Sequence, residues 1–383
     1  MAWRVAIYHN ILWAKYKGLV FSNVYSQSKE KNINASFVQV AETEKMRIGL
    51  SNVDLSYHNY PYRLLFRGSY EEISGVRRAA ALALDIIRNR SDLVVLPGYH
   101  LFEYWTMLAV CIVLRRKRAV FCDSTAHDQP QFFLKELAKR LFFRRCDGFF
   151  CYGLRSKQYV MHYGVKEAKV NFRCQAAALP HDYNPNSVLD QYRDGCLDFV
   201  SAPRFLFVGR LSTEKGLGDM FDALRAVRAR SPGARLDIIG AGPLRDTLVT
   251  QIKDLGLEGV VTLHGTMDLA GIAASFMRST ALVLPSHSEP WGLVVNESLS
   301  YGCPVVVSKN CGCVPELVID GVTGFSFETG DIGGLSTAML AALELSRDRV
   351  KTAQNCLRII AEFTPERAAA QILEGCERIL NSA

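Results

Sequence analysis

Two glutamates stand eight positions apart in the segment SEPWGLVVNES, residues 288–298, and they enclose a short apolar run. The segment follows ALVLP, which has the apolar character of a buried strand. Glu289 should therefore lie in the loop after the strand and Glu297 two turns into the next helix. Carboxylates accept hydrogen bonds from hydroxyl groups, and acidic residues bind ribose in dinucleotide sites. The pair could bind the two ends of one hydroxylated ligand. The alternative is a helix-capping acid followed by a surface acid.

The start of that helix is a candidate anion site. Pro290 precedes or begins the helix, and the first backbone amides of a helix have no partner within it. Such amides, together with the helix dipole, favour a pyrophosphate without a metal ion. The amides that we expect to bind it belong to Trp291, Gly292 and Leu293.

Two further loops carry residues suited to a nucleotide. In GRLSTEKG, residues 209–216, Gly209 permits close backbone approach, while Arg210 and Lys215 supply positive charge for an anion. The loop lacks the Gly-Lys-Ser/Thr ending of a Walker loop. The turn GAGPL suits a flat base or a phosphate, although a plain strand-to-helix turn has the same pattern. Its candidate residues are Gly240, Gly242 and Pro243.

Both halves of the 383-residue chain alternate β-rich runs with helical patterns, which predicts doubly wound parallel sheets. Ligands bind at the carboxyl ends of the strands in such sheets. We predict a first domain over 1–182, a linker over 183–203, a second domain over 204–362, and a helix over 363–383 that returns toward the first domain. Predicted strands cover 4–8, 35–40, 92–97, 118–123 and 148–153, then 204–209, 235–240, 260–265, 281–285 and 304–308.

Five segments together resemble the family 4 retaining glycosyltransferases, in order and spacing, over about residues 203–345. They are GRLSTEKG, GAGPL, HGTM, SEPWGLVVNES with its Glu-x7-Glu element, and GCPVVVS…GCVPELV…GVTGF. The resemblance implies the α/β GT-B fold, in which two Rossmann-like domains face each other across a cleft. It implies a nucleotide-diphosphate sugar, UDP- or GDP-linked, in the second domain and an acceptor in the first.

The resemblance also implies roles for individual residues. Arg210 and Lys215 would hold the donor phosphates, Glu289 the sugar, and Glu297 the ribose. The residues expected near the ribose and base also include Gly240, Gly242, Pro243, Gly265 and Met267. The catalytic candidates are Glu289, His127 and Asp123, with His127 favoured over Asp123 as the polar group near the reacting centre. The chain contains no Asp-x-Asp, which argues against a bound divalent ion. We also expect no cofactor besides the nucleotide-sugar co-substrate.

The chain departs from the family pattern at two places. The family often has Gly-Gly before Pro-Glu, whereas this chain has CGCV at residues 311–314. The usual glycine-rich loop after the first strand is missing, and YHNILWAKYKG, residues 8–18, stands in its place. The resemblance is therefore weaker in the first half than in the second.

Charge is distributed unevenly along the chain. Residues 1–190 hold 27 Lys and Arg against 16 Asp and Glu, a balance of +11, and the remaining 18 against 22 give −4. Basic clusters at 115–118 and 139–145 indicate an anionic membrane surface or a lipid-linked phosphate, with solvated helix ends as the alternative. The 11 scattered cysteines fit a reducing compartment. We expect a cytoplasmic protein, peripheral on the inner membrane face if the acceptor is lipid-linked, and no nucleic-acid partner.

We therefore predict a retaining, metal-independent hexosyltransferase acting in polysaccharide, lipopolysaccharide or lipid-linked glycan assembly. Three alternatives stay open. Two are enzymes of similar fold, a sugar-nucleotide epimerase and a glycan phosphorylase, of which the latter would need a pyridoxal lysine. The third is a catalytically silent partner of another transferase, which the complete set Arg210, Lys215, Glu289 and Glu297 disfavours.

Overall fold

The computed structural model describes residues 2–45, 53–126, 133–195 and 202–382, with the backbone alone at 133 and 134. Two compact units divide the chain. The first comprises Met1–Ala178 with Phe363–Ala383, and the second comprises Leu179–Glu362. Each unit contains one sheet whose strands are all parallel.

The first unit is built on a seven-stranded sheet in the order β3-β2-β1-β4-β5-β6-β7. Its central strands are continuous apolar runs because helices cover both faces of the sheet. The strands are β1 (Trp3–Ile11), β2 (Ile33–Ala41), β3 (Tyr62–Leu64), β4 (Leu93–Leu96), β5 (Lys117–Cys122), β6 (Gly148–Cys151) and β7 (Val170–Asn171). The helices between them are α1 (Lys15–Ser28), α2 (Gly75–Arg88), α3 (Phe102–Val113), α4 (Phe133–Arg144) and α5 (Leu154–His162).

The second unit is built on a six-stranded sheet in the order β10-β9-β8-β11-β12-β13. Its strands are β8 (Arg204–Val208), β9 (Arg235–Ile239), β10 (Val261–Gly265), β11 (Ala281–Leu284), β12 (Val305–Ser308) and β13 (Gly324–Phe327). Its helices are α6 (Pro185–Arg193), α7 (Leu217–Arg230), α8 (Arg245–Asp254), α9 (Leu269–Arg278), α10 (Leu293–Ser300), α11 (Val314–Leu317), α12 (Ile332–Leu345) and α13 (Arg349–Ile360).

The last helix, α14 (Pro365–Asn381), belongs to the first unit. Thr364 caps its start: the Thr364 side chain accepts a hydrogen bond from the Arg367 amide at 3.3 Å, and Pro365 takes the first helical position. The apolar face of the helix completes one of the two cores of the first sheet, with contributions from Ala368, Ala369, Ile372, Leu373, Cys376, Ile379 and Leu380.

The prediction of two Rossmann-like α/β domains is confirmed, and each predicted strand corresponds to an observed one. The reading of 183–203 as a polar linker is wrong for its first part, where α6 packs on α13. Val188 and Tyr192 are buried, and the Tyr192 hydroxyl donates to the Tyr301 carbonyl at 2.8 Å. The Asn184 cap and the proline after it explain why this polar stretch is helical.

None of the helices in the described ranges combines the length and the apolar composition needed to cross a membrane.

Candidate functional site

The order of the second sheet identifies one place where a ligand is expected. The chain builds β8, β9 and β10 outward on one side and β11, β12 and β13 on the other, so the order reverses between β8 and β11. In open parallel sheets, ligands bind outside the carboxyl ends of the strands at such a reversal. The loops that leave these two strands, residues 209–216 and 285–292, contain Glu289 and five of the six residues predicted to bind the donor phosphates.

The first loop begins at Gly209, whose amide donates to the Ile239 carbonyl at 3.0 Å. The Arg210 guanidinium donates to the Ser212 hydroxyl at 3.2 Å and to the Glu214 carboxylate at 2.5 Å. Burial alone would raise the pKa of Glu214. Hydrogen bonds from Ser212, the backbone and Arg210 outweigh burial and lower this pKa to about 2. Glu214 therefore stays ionised and orients the guanidinium.

The two loops are joined by an ion pair between the Lys215 ammonium and the Glu289 carboxylate. Both side chains are largely buried, with exposed fractions of 15% and 17%. The structure thus brings together the residue predicted to hold a phosphate and the residue predicted to hold a sugar. An adjacent cation and carboxylate can bind a ligand that carries an anionic group next to hydroxyl groups.

The GAGPL turn packs directly on the first loop. Gly240 has a φ of 143°, and a Cβ atom there would lie 1.8 Å from the Gly209 carbonyl oxygen. The Gly240 amide donates to the Gly265 carbonyl at 2.7 Å, which links the turn to the end of β10. Three further predicted base-site residues lie here. Gly242, which is half-buried, and Pro243, which is exposed, belong to the turn, and the half-buried Met267 follows β10.

The helix after β11 begins later than predicted. Gly292, with a φ of 94°, is the capping residue, and α10 starts at Leu293. Of the three predicted anion-binding amides, only that of Leu293 lies in the first helical turn. Trp291 lies before the helix, and its buried indole donates to the Asn296 side chain at 2.8 Å. The left-handed backbone at Gly292 is the reason, because it interrupts the helical geometry that Pro290 alone would allow.

Glu297 lies half-buried on α10. Its carboxylate has no hydrogen bond or ion pair with any residue in the described part of the chain. Burial raises its pKa to about 7. A half-buried carboxylate with free acceptor positions suits the hydroxyl groups of a ribose.

The CGCV loop, where the sequence departs from the family pattern, holds the backbone around Glu289 through hydrogen bonds. The Gly312 amide donates to the Glu289 carbonyl at 2.9 Å, and the Cys313 amide donates to the Trp291 carbonyl at 3.0 Å. A Cβ atom on Gly312 would lie 1.8 Å from the Pro290 carbonyl oxygen. Sequence reasoning missed this role of Gly312, because the contact is between backbones far apart in sequence.

His287 is a second residue that the sequence prediction did not single out. Its ring Nε2 lies 2.7 Å from an Asp219 carboxylate oxygen, and its backbone amide donates to the Glu214 carbonyl at 2.8 Å. These contacts tie the loop after β11 to the loop after β8 and to the first turn of α7. The sequence did contain one signal for a role of His287, namely its position two residues before Glu289 in the loop SHSEP.

The catalytic candidates outside the second unit have different outcomes. His127 lies outside the described residues, so its prediction stays a prediction. Asp123 is exposed at the carboxyl end of β5 in the first unit, where it lines a pocket.

Comparison with known proteins bears on the second unit. Residues 198–357 match the family model described as glycosyl transferases group 1. The match contains the loops after β8 and β11, the Lys215–Glu289 pair and Glu297. The resemblance inferred from five short segments is supported at this broader level.

The curated relatives agree with this match. A Mycobacterium tuberculosis glycogen synthase is 36% identical over 179 residues, which cover 45% of this chain and 42% of that protein. The sulfoquinovosyl transferase SQD2 of Arabidopsis thaliana is 33% identical over 144 residues, 37% of this chain and 26% of that protein. The matched stretches span less than half the length of either relative.

Similarity to solved structures extends over the whole fold. The structure of Anabaena Alr3699/HepE in complex with UDP and glucose has a TM-score of 0.70 at 18% identity and covers 98% of this chain and 99% of that one. At this identity the likeness is one of fold. The GT-B prediction of two Rossmann-like domains is confirmed.

Proposed function

We propose that the protein is a retaining glycosyltransferase of family 4 that moves a sugar from a nucleotide-diphosphate sugar, UDP- or GDP-linked, to an acceptor hydroxyl. The observation that carries the proposal is the Lys215–Glu289 pair, which joins the loops of β8 and β11 where the strand order reverses. The group 1 match over residues 198–357 supports the reaction class. The retaining outcome rests on the resemblance of the Glu-x7-Glu element.

Each site residue has a defined part in this reaction. The leaving group is a nucleoside diphosphate, whose negative charge grows as the bond to the sugar breaks. Arg210, Lys215 and the first amides of α10 would stabilise that charge as fixed, preorganised positive groups. This arrangement needs neither a divalent ion nor a cofactor, so we propose metal-independent transfer with the nucleotide sugar as the only co-substrate.

Donor binding would rearrange the ion pair. A phosphate that approaches Lys215 competes with Glu289 for the ammonium group, because both are anions. Glu289 is then available to accept hydrogen bonds from the sugar hydroxyls. Glu297 would accept from the ribose hydroxyls. The acceptor would bind to the first unit, with His127 or Asp123 near the reacting centre.

A donor-binding screen tests the proposal. The purified protein is heated with a panel of UDP- and GDP-sugars, since a ligand that binds the folded state raises the melting temperature. We expect stabilisation by one nucleotide class, and loss of that stabilisation in Lys215→Met. The exposed Lys309, paired with Glu328 in the same unit, provides the control Lys309→Met, which should bind normally. Stabilisation by no nucleotide sugar would contradict the proposal.

Product analysis separates the alternatives. Transfer with the donor's anomeric configuration kept, read by NMR, supports a retaining transferase. Interconversion of the nucleotide sugar without an acceptor would indicate an epimerase, and pyridoxal absorbance would indicate a phosphorylase. Donor binding without turnover would indicate a silent partner of another transferase.

We further propose that the first unit binds an anionic membrane surface through α4, which suits a lipid-linked glycan acceptor. One face of α4 exposes Leu137, Arg140, Leu141 and Arg144 at helical spacing, with the leucines 58% and 50% exposed. This α4 stripe lines a groove of about 550 Å³. Apolar and cationic side chains on one exposed helical face suit contact with anionic lipid. The protein would then be cytoplasmic and peripheral on the inner membrane face.

The other basic cluster, residues 115–118, makes hydrogen bonds within the first unit. Arg116 donates to the Ile86 and Asn89 carbonyls, and Arg118 donates to the Arg145 carbonyl. Lys117 donates to the Ser382 carbonyl at 2.8 Å. Three of these four cations therefore bind backbone within the unit. Their replacement would disturb folding as well as any lipid contact.

A flotation assay with vesicles tests the α4 stripe. We expect binding to vesicles with anionic lipid at low salt and release at high salt, because exposed charges are screened. Arg140→Gln with Arg144→Gln should weaken binding about 30-fold, since each basic residue contributes about 1 kcal/mol. The control pair Arg88→Gln with Arg90→Gln, exposed elsewhere in the first unit, should bind like the wild type. Protein that stays with the soluble fraction at low salt would refute the membrane proposal.

A further inference from the structure

The first unit contains a polar pocket of about 210 Å³ at the carboxyl edge of its sheet. The strand order of this sheet reverses between β1 and β4, and the pocket lies there, against the end of β1, the start of α1 and the residues after β4. The segment YHNILWAKYKG, which replaces the family's glycine-rich loop, supplies seven of its lining residues: His9, Asn10, Ile11, Trp13, Ala14, Tyr16 and Lys17.

Lys17 is the unusual group in this pocket. Its side chain is buried, with 2% of the residue exposed, and its ammonium nitrogen has no hydrogen-bond partner among the described residues. The nitrogen lies 4.5 Å from the ring centres of both Phe121 and Tyr152. Burial lowers the pKa of Lys17 to about 8. A buried charge without a hydrogen-bonded counter-ion is costly, and two aromatic faces offset only part of that cost.

Other polar groups around the pocket suit a hydroxylated ligand. Asn10 accepts from the Tyr104 hydroxyl through its side-chain oxygen at 2.8 Å, so its amide NH₂ group can donate to a ligand. Asp123 also lines the pocket, is exposed, and can accept from hydroxyl groups. Glu44 adds a second carboxylate to the lining, and Trp13 adds an aromatic ring. Hydrogen-bond donors, acceptors and aromatic rings together are the groups through which proteins bind sugars and polyols.

We propose that this pocket binds a sugar or polyol that carries one phosphate or carboxylate group, with Lys17 as the counter-ion of that group. The volume fits a single sugar ring with its substituents. Under the proposed function this ligand is the acceptor, and that part of the assignment rests on the proposed function. The segment that stands in place of the family's glycine-rich loop is then the part of the chain that supplies this counter-ion.

Calorimetric titration of the full chain tests the proposal. The probes are glucuronate for the carboxylate, glucose 6-phosphate for the phosphate, and glucose as the neutral control. We expect at least one anionic probe to bind the wild type, and Lys17→Met to bind it about tenfold more weakly or worse, as for a lost hydrogen bond to a charged group. The probe that binds more tightly shows whether the anionic group of the ligand is a phosphate or a carboxylate.

A matched control lies two residues away on the same helix. Lys15 pairs with Asp54 at 3.1 Å and does not line the pocket, so Lys15→Met should bind the probe like the wild type. Lys17→Met should fold normally, because methionine fills a similar volume without a buried charge. Equal affinity of the anionic probes for the wild type and Lys17→Met would overturn the proposal. So would a wild type that binds glucose as tightly as both anions.

Nucleotide titration keeps the two proposals apart. Lys215→Met should lose nucleotide-sugar binding and keep the anionic probe, while Lys17→Met should do the reverse. A wild type that binds the probe through Lys17 but no nucleotide sugar would leave the pocket assignment standing and refute the proposed function. Nucleotide binding without Lys17-dependent probe binding would overturn the pocket assignment alone.

Discussion

Replacement of Glu297 by glutamine should stabilise the protein at neutral and alkaline pH. The carboxyl is half-buried and has no partner among the described residues, so its charged form is poorly solvated. Glutamine keeps the shape of the side chain and removes the charge. The resulting gain in the free energy of unfolding should depend on pH, and the pKa of Glu297 determines whether the gain rises or falls with pH.

Burial raises the pKa of Glu297 from 4.5 to about 7. Below pH 4.5 the carboxyl is protonated in both the folded and the unfolded chain and costs nothing. Between these two values the unfolded chain releases the proton and the folded one keeps it, so stability falls as pH rises. The difference of 2.5 between the two values, at 1.36 kcal/mol for each pH unit, gives a loss of about 3 kcal/mol above pH 7.

Urea unfolding at several pH values measures this loss. The free energy of unfolding of Glu297→Gln, minus that of the wild type, should be near zero at pH 4.5 and rise to about 3 kcal/mol by pH 8. Glu258→Gln, at an exposed position in the same unit, controls for the general effect of pH. A difference that stays flat across this range would refute the reasoning. Nucleotide binding should weaken in Glu297→Gln, since the ribose loses a charged acceptor.

Three further outcomes are expected. Glu289→Gln should lower turnover on the order of 100-fold, which is the scale of losing one preorganised contact. The control Glu328→Gln, in the exposed pair with Lys309, should turn over like the wild type. A Glu289→Gln variant with wild-type turnover would show that Glu289 is not part of the site. Excess chelator should leave turnover intact; restoration of a chelator-inactivated enzyme by magnesium would contradict the cationic phosphate site. Gly312→Ala should cost about 1–3 kcal/mol in unfolding experiments, because its Cβ atom would overlap a backbone oxygen. Gly218→Ala, with open space around it, should cost nothing.

The sequence predicted the α/β sheets well because apolar runs of strand length are local signals. It also placed Arg210, Lys215 and Glu289 in loops that do meet, because parallel strands end at one edge of a sheet. The ion pair between Lys215 and Glu289 could not be predicted, since it depends on which two strands are neighbours. The start of α10 was misplaced because proline is a stronger local signal than the backbone angle of Gly292.

The first half shows the opposite limit. The helix α1 was not predicted, since WAKYKG was read only as a missing loop. A lysine in that stretch would ordinarily be assigned to solvent. It is buried against Phe121 in β5 and against Tyr152 directly after β6, and both residues lie more than 100 positions later in the chain. No periodicity near Lys17 carries that information.

The position of α14 has a consequence for synthesis on the ribosome. Multidomain chains usually fold from the N-terminal domain onward as they emerge. Here one core of the first unit includes the apolar face of α14, and the whole of the second unit is made before that helix. That face of the first sheet, which α1 covers only in part, therefore stays incompletely covered while residues 179–362 are translated. The second unit can complete its core before α14 is synthesised. Until then, the apolar surface exposed on the first sheet is a natural binding site for a chaperone.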